Sequence, residues 1–272
     1  MSAVFKAEAK NLGGNRVILL FDVGNTNIKL AVFSDEGKAL HVARFKTDRE
    51  KTEDEYAVLI HDIARLNGFD CKAFDGAVIS CVAPSITPLL VEAVRRVCGC
   101  ECLVVGAGVK TGLDIRIDDP GSLGSDMCAS AVGAIEYYGA PAVIISVGTA
   151  TTITAVNKNK TFLGGVIMPG IDISLAALAH KTDSLPYIAL DKPNKAISAN
   201  TRDCMNAGVI FGHAGAIDGV LRRFERELGC KPTVIATGGR AKDIIPYCEA
   251  DIILDKELIL KGLYSIYRKN RR

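Results

Sequence analysis

Two segments of this chain share one design: an apolar strand, a turn that carries glycine with amide or hydroxyl side chains, and a second strand. The first covers residues 17–33 and the second covers residues 142–156. Each is followed by a further strand, predicted over residues 39–45 and 162–168. Because a whole supersecondary unit recurs, the sequence predicts a duplicated domain. Two such halves facing each other would leave a cleft lined by both turns.

The first half of the chain adds helices to these strands. An amphipathic helix is predicted over residues 49–66, a buried strand over 76–82, then a second helix and a short strand over 100–105. The order β-β-β-α-β-α-β is that of a ribonuclease-H-like domain, in which helices cover a mixed sheet. We therefore predict an α/β fold with a mixed sheet in each half, divided into domains of residues 1–120 and 121–272.

The first turn combines groups that suit a charged ligand. Gly24 allows close approach of the backbone, and successive turn amides can form a concavity that binds an anion. Asp22 ends a buried strand, where a carboxylate is placed to hold a cation rather than a phosphate. An ordinary turn capped by Asp22 and Asn25 explains the same residues. The segment alone leaves both interpretations open.

Two features of the second half involve glycine. The predicted helix over residues 201–228 carries glycines at three- and four-residue steps, each costing about 1 kcal/mol relative to alanine. We expect them to allow close packing, at a subunit interface, with a flat ligand as the alternative. Later, a strand over 233–236 runs into a glycine turn at 237–239 that opens a helix. The exposed amides and positive dipole end of such a helix suit a nucleotide.

The composition bears on the possible partners. A net charge of +2 over 272 residues argues against a strongly electrostatic partner such as nucleic acid. No stretch is expected to approach a membrane span free of charges, and residues 1–16 lack the apolar core of a secretory signal. These first residues are expected to form a flexible lead-in. We predict a cytoplasmic protein with no nucleic-acid or membrane partner.

Nine cysteines are best explained as reduced thiols rather than as a disulfide framework. The cluster at residues 98–102 lacks a second ligand pair at zinc-site spacing, so we expect strand alternation rather than metal binding there. Cys128 lies in the first turn of a predicted helix, where the dipole lowers the pKa of a thiol. We expect it to react with alkylating agents, a buried inert thiol being the alternative.

Taken in order, the motifs resemble those of type III pantothenate kinases, within the superfamily of actin, Hsp70 and sugar kinases. The resemblance runs nearly end to end. The matching segments are residues 22–29, 123–126, 148–152, 163–171, 182–186 and 237–239.

This resemblance implies a reaction and an assembly. The reaction is ATP-dependent phosphorylation of the terminal hydroxyl of pantothenate to 4′-phosphopantothenate, the first step of coenzyme A biosynthesis. The implied cofactors are ATP and Mg²⁺, with K⁺ or NH₄⁺ as a monovalent cation. The implied assembly is a homodimer whose substrate pocket is completed across the interface.

The resemblance also assigns roles to residues. Asp126 would accept the proton of the attacking hydroxyl, and Asp22 would organise Mg²⁺ through water. The implied phosphate ligands are Gly24, Asn25, Thr26, Lys29, Thr149, Thr151 and Thr152, and those of adenosine are Gly238 and Gly239. The implied substrate residues are Gly124, Ser125, Asp126, Met127 and, from the neighbouring subunit, Thr182.

The residues themselves support this chemistry, because phosphoryl transfer needs alignment and charge neutralisation more than covalent catalysis. One positioned carboxylate such as Asp126 can accept the alcohol proton. An acidic residue in the first turn of a helix is also favourable to the dipole without any catalytic role. The residue alone leaves that alternative open.

Two positions depart from the family pattern. Met127 stands where the family has an arginine expected to hold the substrate carboxylate, and Ser146 stands where it has an aspartate expected to bind the monovalent cation. A charge-assisted hydrogen bond contributes about 1.5–3 kcal/mol, so its loss weakens binding by roughly 10- to 150-fold. The departures leave the fold untouched and put the substrate and the monovalent cation in doubt.

Two other functions therefore stay open. One is a kinase of another small alcohol, since methionine accepts apolar ligands more readily than a carboxylate. The other is a non-catalytic, nucleotide-binding regulatory relative. Retention of Asp22, Lys29 and Asp126 argues against the second, because a protein that only binds nucleotide has no use for a proton acceptor.

Overall fold

The computed structural model describes residues 16–271. Apart from Arg16, the predicted lead-in lies outside the described residues. The strands, in chain order, are β1 Val17–Val23, β2 Asn27–Ser34, β3 Ala39–Lys46, β4 Phe74–Cys81, β5 Cys102–Val104, β6 Asp114–Ile115, β7 Ala142–Val147, β8 Ala150–Val156, β9 Thr161–Pro169, β10 Thr233–Thr237 and β11 Ile253–Leu254. The α-helices are α1 Glu53–Leu66, α2 Thr87–Cys98, α3 Ser125–Tyr137, α4 Ile171–Lys181, α5 Thr201–Leu228, α6 Ala241–Ile244 and α7 Leu258–Asn270.

The chain forms two compact units. Within the described residues, unit 1 comprises 16–112, 121–133 and 259–271. Its sheet has the order β3-β2-β1-β4-β5. Strand β1 is central, antiparallel to β2 and parallel to β4, and every residue of it except Asp22 is buried. This run of apolar residues on both faces therefore places one polar side chain at the carboxyl end of the central strand.

Unit 2 comprises residues 113–120 and 134–258. Its sheet has the order β11-β10-β7-β8-β9-β6. Strand β7 is antiparallel to β8 and parallel to β10. The core of the unit lies between one face of this sheet and helices α4 and α5, where Ile145, Ile153 and Ile217 are fully buried.

The two sheets repeat one topology. The order β3-β2-β1-β4-β5 of unit 1 corresponds to β9-β8-β7-β10-β11 of unit 2, with the same succession of antiparallel and parallel pairs. Strand β6 is an addition at the edge of the second sheet. The prediction of an α/β fold with a mixed sheet in each half is confirmed.

The units interleave along the chain. Helix α3 begins in unit 1 and ends in unit 2, and all of α7 except its first residue belongs to unit 1. The sequence predicted a single continuous boundary after residue 120. Unit 1 also contains residues 121–133 and 259–271, which follow that boundary, and unit 2 contains residues 113–120, which precede it.

Helix α5 is long and apolar enough, by length and composition, to cross a membrane, and half of its most apolar window is buried. The sequence predicts no membrane span free of charges, and this helix carries Asp203 and Asp218 among its residues. Its buried face carries two polar side chains with partners in unit 2. Asn206 Oδ1 accepts from the Asp191 amide at 3.0 Å, and the Asp218 carboxylate accepts from two successive amides, beginning with Glu249 at 2.9 Å. Such bonds are typical of a core helix.

The glycines of α5 face outward. A Cβ built at Gly208, Gly212 or Gly215 would meet no atom within 4 Å beyond the helix itself. The close packing that the sequence predicts at these positions is therefore not made by the described residues of this chain.

Candidate active site

The first glycine turn joins β1 to β2 at the end of the unit 1 sheet. The Gly24 amide donates to the Asn27 carbonyl at 3.0 Å, which closes the turn. Thr47, which directly follows β3, supports the turn, because its hydroxyl donates to the Gly24 carbonyl at 2.7 Å and its amide to the Thr26 carbonyl at 3.0 Å. The predicted phosphate residues Asn25 and Thr26 are exposed at the tip. The turn thus presents polar groups to solvent from a fixed base.

Asp22 and Lys29 face each other across the base of this turn. The two residues are paired in the strand register, and Lys29 Nζ lies 3.7 Å from Asp22 Oδ2. The Asp22 side chain is only 13% exposed. Burial raises the pKa of the Asp22 carboxyl above its ordinary value of 3.8; the Lys29 ammonium opposes this shift, and the negative charge of Asp126 adds to it. The ionised form of Asp22 therefore gains from any further positive charge placed beside it.

Asp126 stands in the first turn of α3 and belongs to the same unit. Gly124 leaves room for its carboxylate, because a Cβ built there would lie 2.6 Å from Asp126 Oδ1 and 3.3 Å from Met127 Cε. The structure therefore places Asp126 near enough to the Asp22–Lys29 pair for its charge to act on Asp22, although Asp22 and Asp126 lie 104 positions apart in the sequence. Two carboxylates that interact, one of them paired with an ammonium, can hold a cation and accept a proton.

Ser125 fixes the start of α3 against the end of β4. Its hydroxyl accepts from the Cys81 amide at 2.9 Å and from the Ser80 hydroxyl at 3.0 Å, and it donates to the Cys81 carbonyl at 3.2 Å. The sequence placed Ser125 among the substrate residues. In the structure its hydroxyl is directed into the protein, where it positions the neighbouring Asp126.

The second glycine turn joins β7 to β8 in unit 2. The Gly148 amide donates to the Ala150 carbonyl at 3.0 Å, and Thr149 is exposed at the tip. Gly170, which follows β9, donates its amide to the Thr149 carbonyl at 3.1 Å. A Cβ at Gly170 would collide with the carbonyl oxygens of both Gly148 and Thr149, so only glycine permits this contact.

The third glycine turn follows β10 in the same unit. Gly238 has a φ of +100°, and a Cβ there would collide with the Val147 carbonyl oxygen. The Arg240 amide donates to that same oxygen at 3.1 Å. Around Gly239 a Cβ would meet no atom within 4 Å, so space is open beside it. The helix that follows, α6, has only four residues.

Two buried hydroxyls beside these turns lack partners. Thr151 Oγ1 and Thr237 Oγ1 have no hydrogen-bond partner among residues 16–271, although both side chains are fully buried. Buried polar groups are normally hydrogen-bonded, and an orphaned one next to an open turn indicates a missing partner. Thr151 belongs to the predicted phosphate residues, and Thr237 directly precedes the predicted adenosine residues.

Ser146 lies in a row of hydroxyls. It pairs with Thr152 on β8 and with Thr237 on β10, so three neighbouring strands place uncharged oxygens on one face of the sheet. Nowhere in residues 16–271 do three or more His, Cys, Asp or Glu side chains form a group that could hold a metal ion. The row therefore offers a cation neutral ligands only.

The structure also shows the surroundings of Thr182 and Cys128, for which the sequence predicted a role. Thr182 caps the carboxyl end of α4 and donates its hydroxyl to the Leu178 carbonyl at 2.8 Å. The expectation of a low pKa at Cys128 was wrong, because burial raises the pKa of this thiol to about 11. The thiol is 5% exposed, so desolvation outweighs the helix dipole. All nine cysteines are free thiols.

Comparisons with known sequences show which family this chain resembles. The sequence profile of the type III pantothenate kinase family matches residues 18–223. The type III pantothenate kinase of Halalkalibacterium halodurans is 42% identical over 254 residues, which cover 93% of this chain and 100% of that protein.

Solved structures show the fold alone, because their sequence identity is low. A Campylobacter jejuni protein described as a conserved Baf family transcriptional activator has a TM-score of 0.60 at 21% identity, covering 93% of this chain and 98% of that one. A protein from Cytophaga hutchinsonii described as a sugar kinase has a TM-score of 0.51 at 14% identity, covering 93% and 99%. The predicted relation to the sugar kinase fold is confirmed, and the chain belongs to the type III pantothenate kinase family.

Proposed function

We propose that this protein transfers the γ-phosphoryl group of ATP to the terminal hydroxyl of pantothenate, giving 4′-phosphopantothenate and ADP in the first step of coenzyme A biosynthesis. The observation that carries the proposal is the grouping of Asp22, Lys29 and Asp126 at one end of unit 1. Membership of the family supports the choice of substrate.

In the proposed reaction the substrate hydroxyl gives its proton to the Asp126 carboxylate. The alcohol oxygen forms a bond to the γ-phosphorus, and the bond between that phosphorus and the bridging oxygen breaks, so ADP leaves with the electron pair. Lys29 stabilises charge on the transferring phosphoryl group. Ser125 and Gly124 hold the base in place through the contacts described above.

The buried carboxylate of Asp22 fits Mg²⁺ held through water. Its pKa is raised by burial, and a cation beside it stabilises the ionised form. When bound, Mg²⁺ supplies charge neutralisation at the phosphates. Asp22 would hold Mg²⁺ through water close to the turn at Gly24, whose amides are the proposed anion ligands.

The remaining turn residues are the proposed nucleotide ligands. Their support is the two orphaned hydroxyls and the open space beside Gly239. We propose that the phosphates meet Gly24, Asn25, Thr26, Lys29, Thr149, Thr151 and Thr152. We propose that adenosine lies against Gly238 and Gly239.

For the substrate, we propose contacts with Gly124, the backbone of Ser125, and the side chains of Asp126 and Met127. We also propose a homodimer in which Thr182 reaches the substrate of the neighbouring subunit. The exposed glycines of α5 support an interface, since these costly residues have no packing partner among the described residues of one chain.

The row of neutral oxygens at Ser146 supports activity without a monovalent cation. Dehydrating K⁺ or NH₄⁺ is poorly offset where no carboxylate is present. We also propose a cytoplasmic enzyme that acts on small molecules without nucleic acid or membrane partners, and the net charge of +2 supports the absence of a nucleic-acid partner.

A second candidate is a kinase of another small alcohol, favoured by Met127, whose apolar side chain lies beside Gly124. A non-catalytic regulatory protein is disfavoured by the Asp22, Lys29 and Asp126 group. ADP release should be measured with pantothenate and with pantothenol, which has the same terminal hydroxyl but no carboxylate. Turnover with pantothenate supports the proposal, turnover with pantothenol alone supports the second candidate, and turnover with neither contradicts both.

A further inference from the structure

The segment that follows β9 contacts both glycine turns of unit 2. The Gly170 amide donates to the Thr149 carbonyl in the phosphate turn at 3.1 Å. Two residues later, the Asp172 carboxylate meets the guanidinium of Arg240, which directly follows the adenosine turn. One short segment thus links two turns that lie about ninety residues apart in the sequence.

The contact between Asp172 and Arg240 is a two-point fork. Arg240 Nη2 donates to Asp172 Oδ1 at 2.7 Å, and Arg240 Nε donates to Asp172 Oδ2 at 3.1 Å. A bidentate pair fixes the direction of both side chains as well as their separation. The main chain of Arg240 is fixed at the same time, because its amide donates to the Val147 carbonyl at 3.1 Å.

The other end of the segment has little freedom to move. Ser174 Oγ donates to the Gly170 carbonyl at 3.0 Å, and a Cβ at Gly170 would collide with the phosphate turn. His213 of α5 reaches the preceding residue, since its Nε2 lies 3.1 Å from the Pro169 carbonyl oxygen. A displacement of Asp172 would therefore be transmitted to Thr149 rather than absorbed within the segment.

This pair contributes little to folding. The side chains of Arg240 and Asp172 are 39% and 60% exposed, and exposed ion pairs contribute only about 0.2–1 kcal/mol to stability. What the pair determines is the relative position of two ligand-binding turns. A nucleotide that contacts both turns binds best when that position is fixed before binding.

We propose that Asp172 and Arg240 are positioning residues. They hold the adenosine turn at Gly238 and Gly239 and the phosphate turn at Thr149 in the relative position that a single nucleotide contacting both turns requires. The proposal rests on the nucleotide-binding part of the proposed function. It requires the two side chains to act as a unit, so that removing either one removes the whole effect.

The test is a double-mutant cycle with Asp172→Asn, Arg240→Gln and the combined variant. The dissociation constant of ADP is measured by titration calorimetry, with kcat and KM for ATP from the kinase assay. Each single variant should weaken ADP binding about 3- to 10-fold, and the combined variant should be no weaker than either. The melting temperature and kcat should change little, and Asp172→Glu, which keeps the carboxylate, should stay close to wild type.

Glu92→Gln is the matched control, because Glu92 forms a similar fork with Arg95 on α2, at 2.7 and 2.8 Å, in unit 1. It should leave ADP binding unchanged. Weaker binding from Arg240→Gln but not from Asp172→Asn would mean that Arg240 contacts the nucleotide directly, and would overturn the proposal. Additive effects, or no effect of either variant, would also overturn it.

The proposed function can fail separately. If the wild-type protein binds ADP but does not phosphorylate pantothenate, the proposed reaction is wrong and the cycle on ADP binding still decides the role of the pair. If the wild-type protein binds no ADP, both proposals are wrong.

Discussion

Replacing Ser125 by alanine tests how the base Asp126 is held in place. The Ser125 hydroxyl is the acceptor for the Cys81 amide at 2.9 Å and for the Ser80 hydroxyl at 3.0 Å. Ser80 is fully buried, and Ser125 is 9% exposed, so water does not readily replace the lost oxygen. The variant removes the link between β4 and the start of α3.

The expected loss follows from these contacts. A buried donor left without its acceptor costs about 1–3 kcal/mol, and two donors are affected here. We expect the free energy of unfolding of Ser125→Ala to fall by at least about 2 kcal/mol, a loss that a domain with a stability of about 5–15 kcal/mol survives. Because Asp126 is adjacent, kcat should fall about 10- to 100-fold, since small misplacements of a catalytic group are costly.

Urea unfolding followed by circular dichroism measures the first effect, and ADP release measures the second. Ser130→Ala is the control, because Ser130 is buried on the same helix but donates only to the Asp126 carbonyl one turn earlier, at 2.8 Å. Removing the Ser130 hydroxyl leaves no buried donor without an acceptor, so the free energy of unfolding should fall by less than about 1 kcal/mol. If Ser125→Ala destabilises the protein no more than Ser130→Ala, the link does not anchor α3.

Three further predictions concern charge. Burial raises the pKa of the Asp22 carboxyl, so folding is favoured when this carboxyl is protonated. Its contribution to the free energy of unfolding is fully present below the pKa of aspartate in the unfolded chain, and it is lost as the pH rises through the pKa of Asp22 in the folded protein. Asp22→Asn should therefore raise the melting temperature at neutral pH but not at acid pH while abolishing activity, and a pH-independent difference would contradict this. Kinase activity should be nearly flat from zero to high potassium at constant ionic strength, and Ser146→Asp should create a potassium response; a steep requirement in the wild-type protein would contradict the neutral site. Iodoacetamide should label exposed Cys204 before Cys128, because burial raises the pKa of the Cys128 thiol to about 11, and the reverse order in peptide mass spectrometry would refute this.

Local patterns predicted the repeated elements well. The third strands expected over 39–45 and 162–168 are Ala39–Lys46 and Thr161–Pro169. Their apolar periodicity and the glycine turns before them are local signals. The helix expected from residue 49 begins instead at Glu53, because Thr52 and Glu55 form a capping box.

Features that depend on distant residues were not predictable in this way. Helix α7 joins unit 1 from the far end of the chain, where the Tyr264 hydroxyl donates to the Asp35 carbonyl at 2.5 Å and the ring packs 5.9 Å from Phe33. Strand β6 has only two residues and carries no periodic pattern. Contacts across more than two hundred residues leave no trace in any window of the sequence.

The candidate site likewise combines local features, which a short stretch of sequence predicts, with contacts between distant residues, which it does not. The turn chemistry around Asp22 and Gly238 is local, so a short window of the sequence is enough to predict it. The brace from Thr47 and the fork between Asp172 and Arg240 join residues 23 and 68 positions apart, so no motif revealed them. At Cys128 the local argument from the helix dipole failed and the buried alternative holds, because burial of the thiol depends on contacts with other parts of the fold.

The central claim is that Asp126 accepts a proton from pantothenate as ATP is consumed. The direct test is the rate of ADP release with and without pantothenate, in the wild-type protein and in Asp126→Asn, with ADP affinity measured in parallel. The account predicts release that depends on pantothenate, a fall in kcat of about 10²–10⁴-fold in the variant, and unchanged ADP binding. ADP release that is independent of pantothenate, or a variant within a few-fold of wild type, would contradict it.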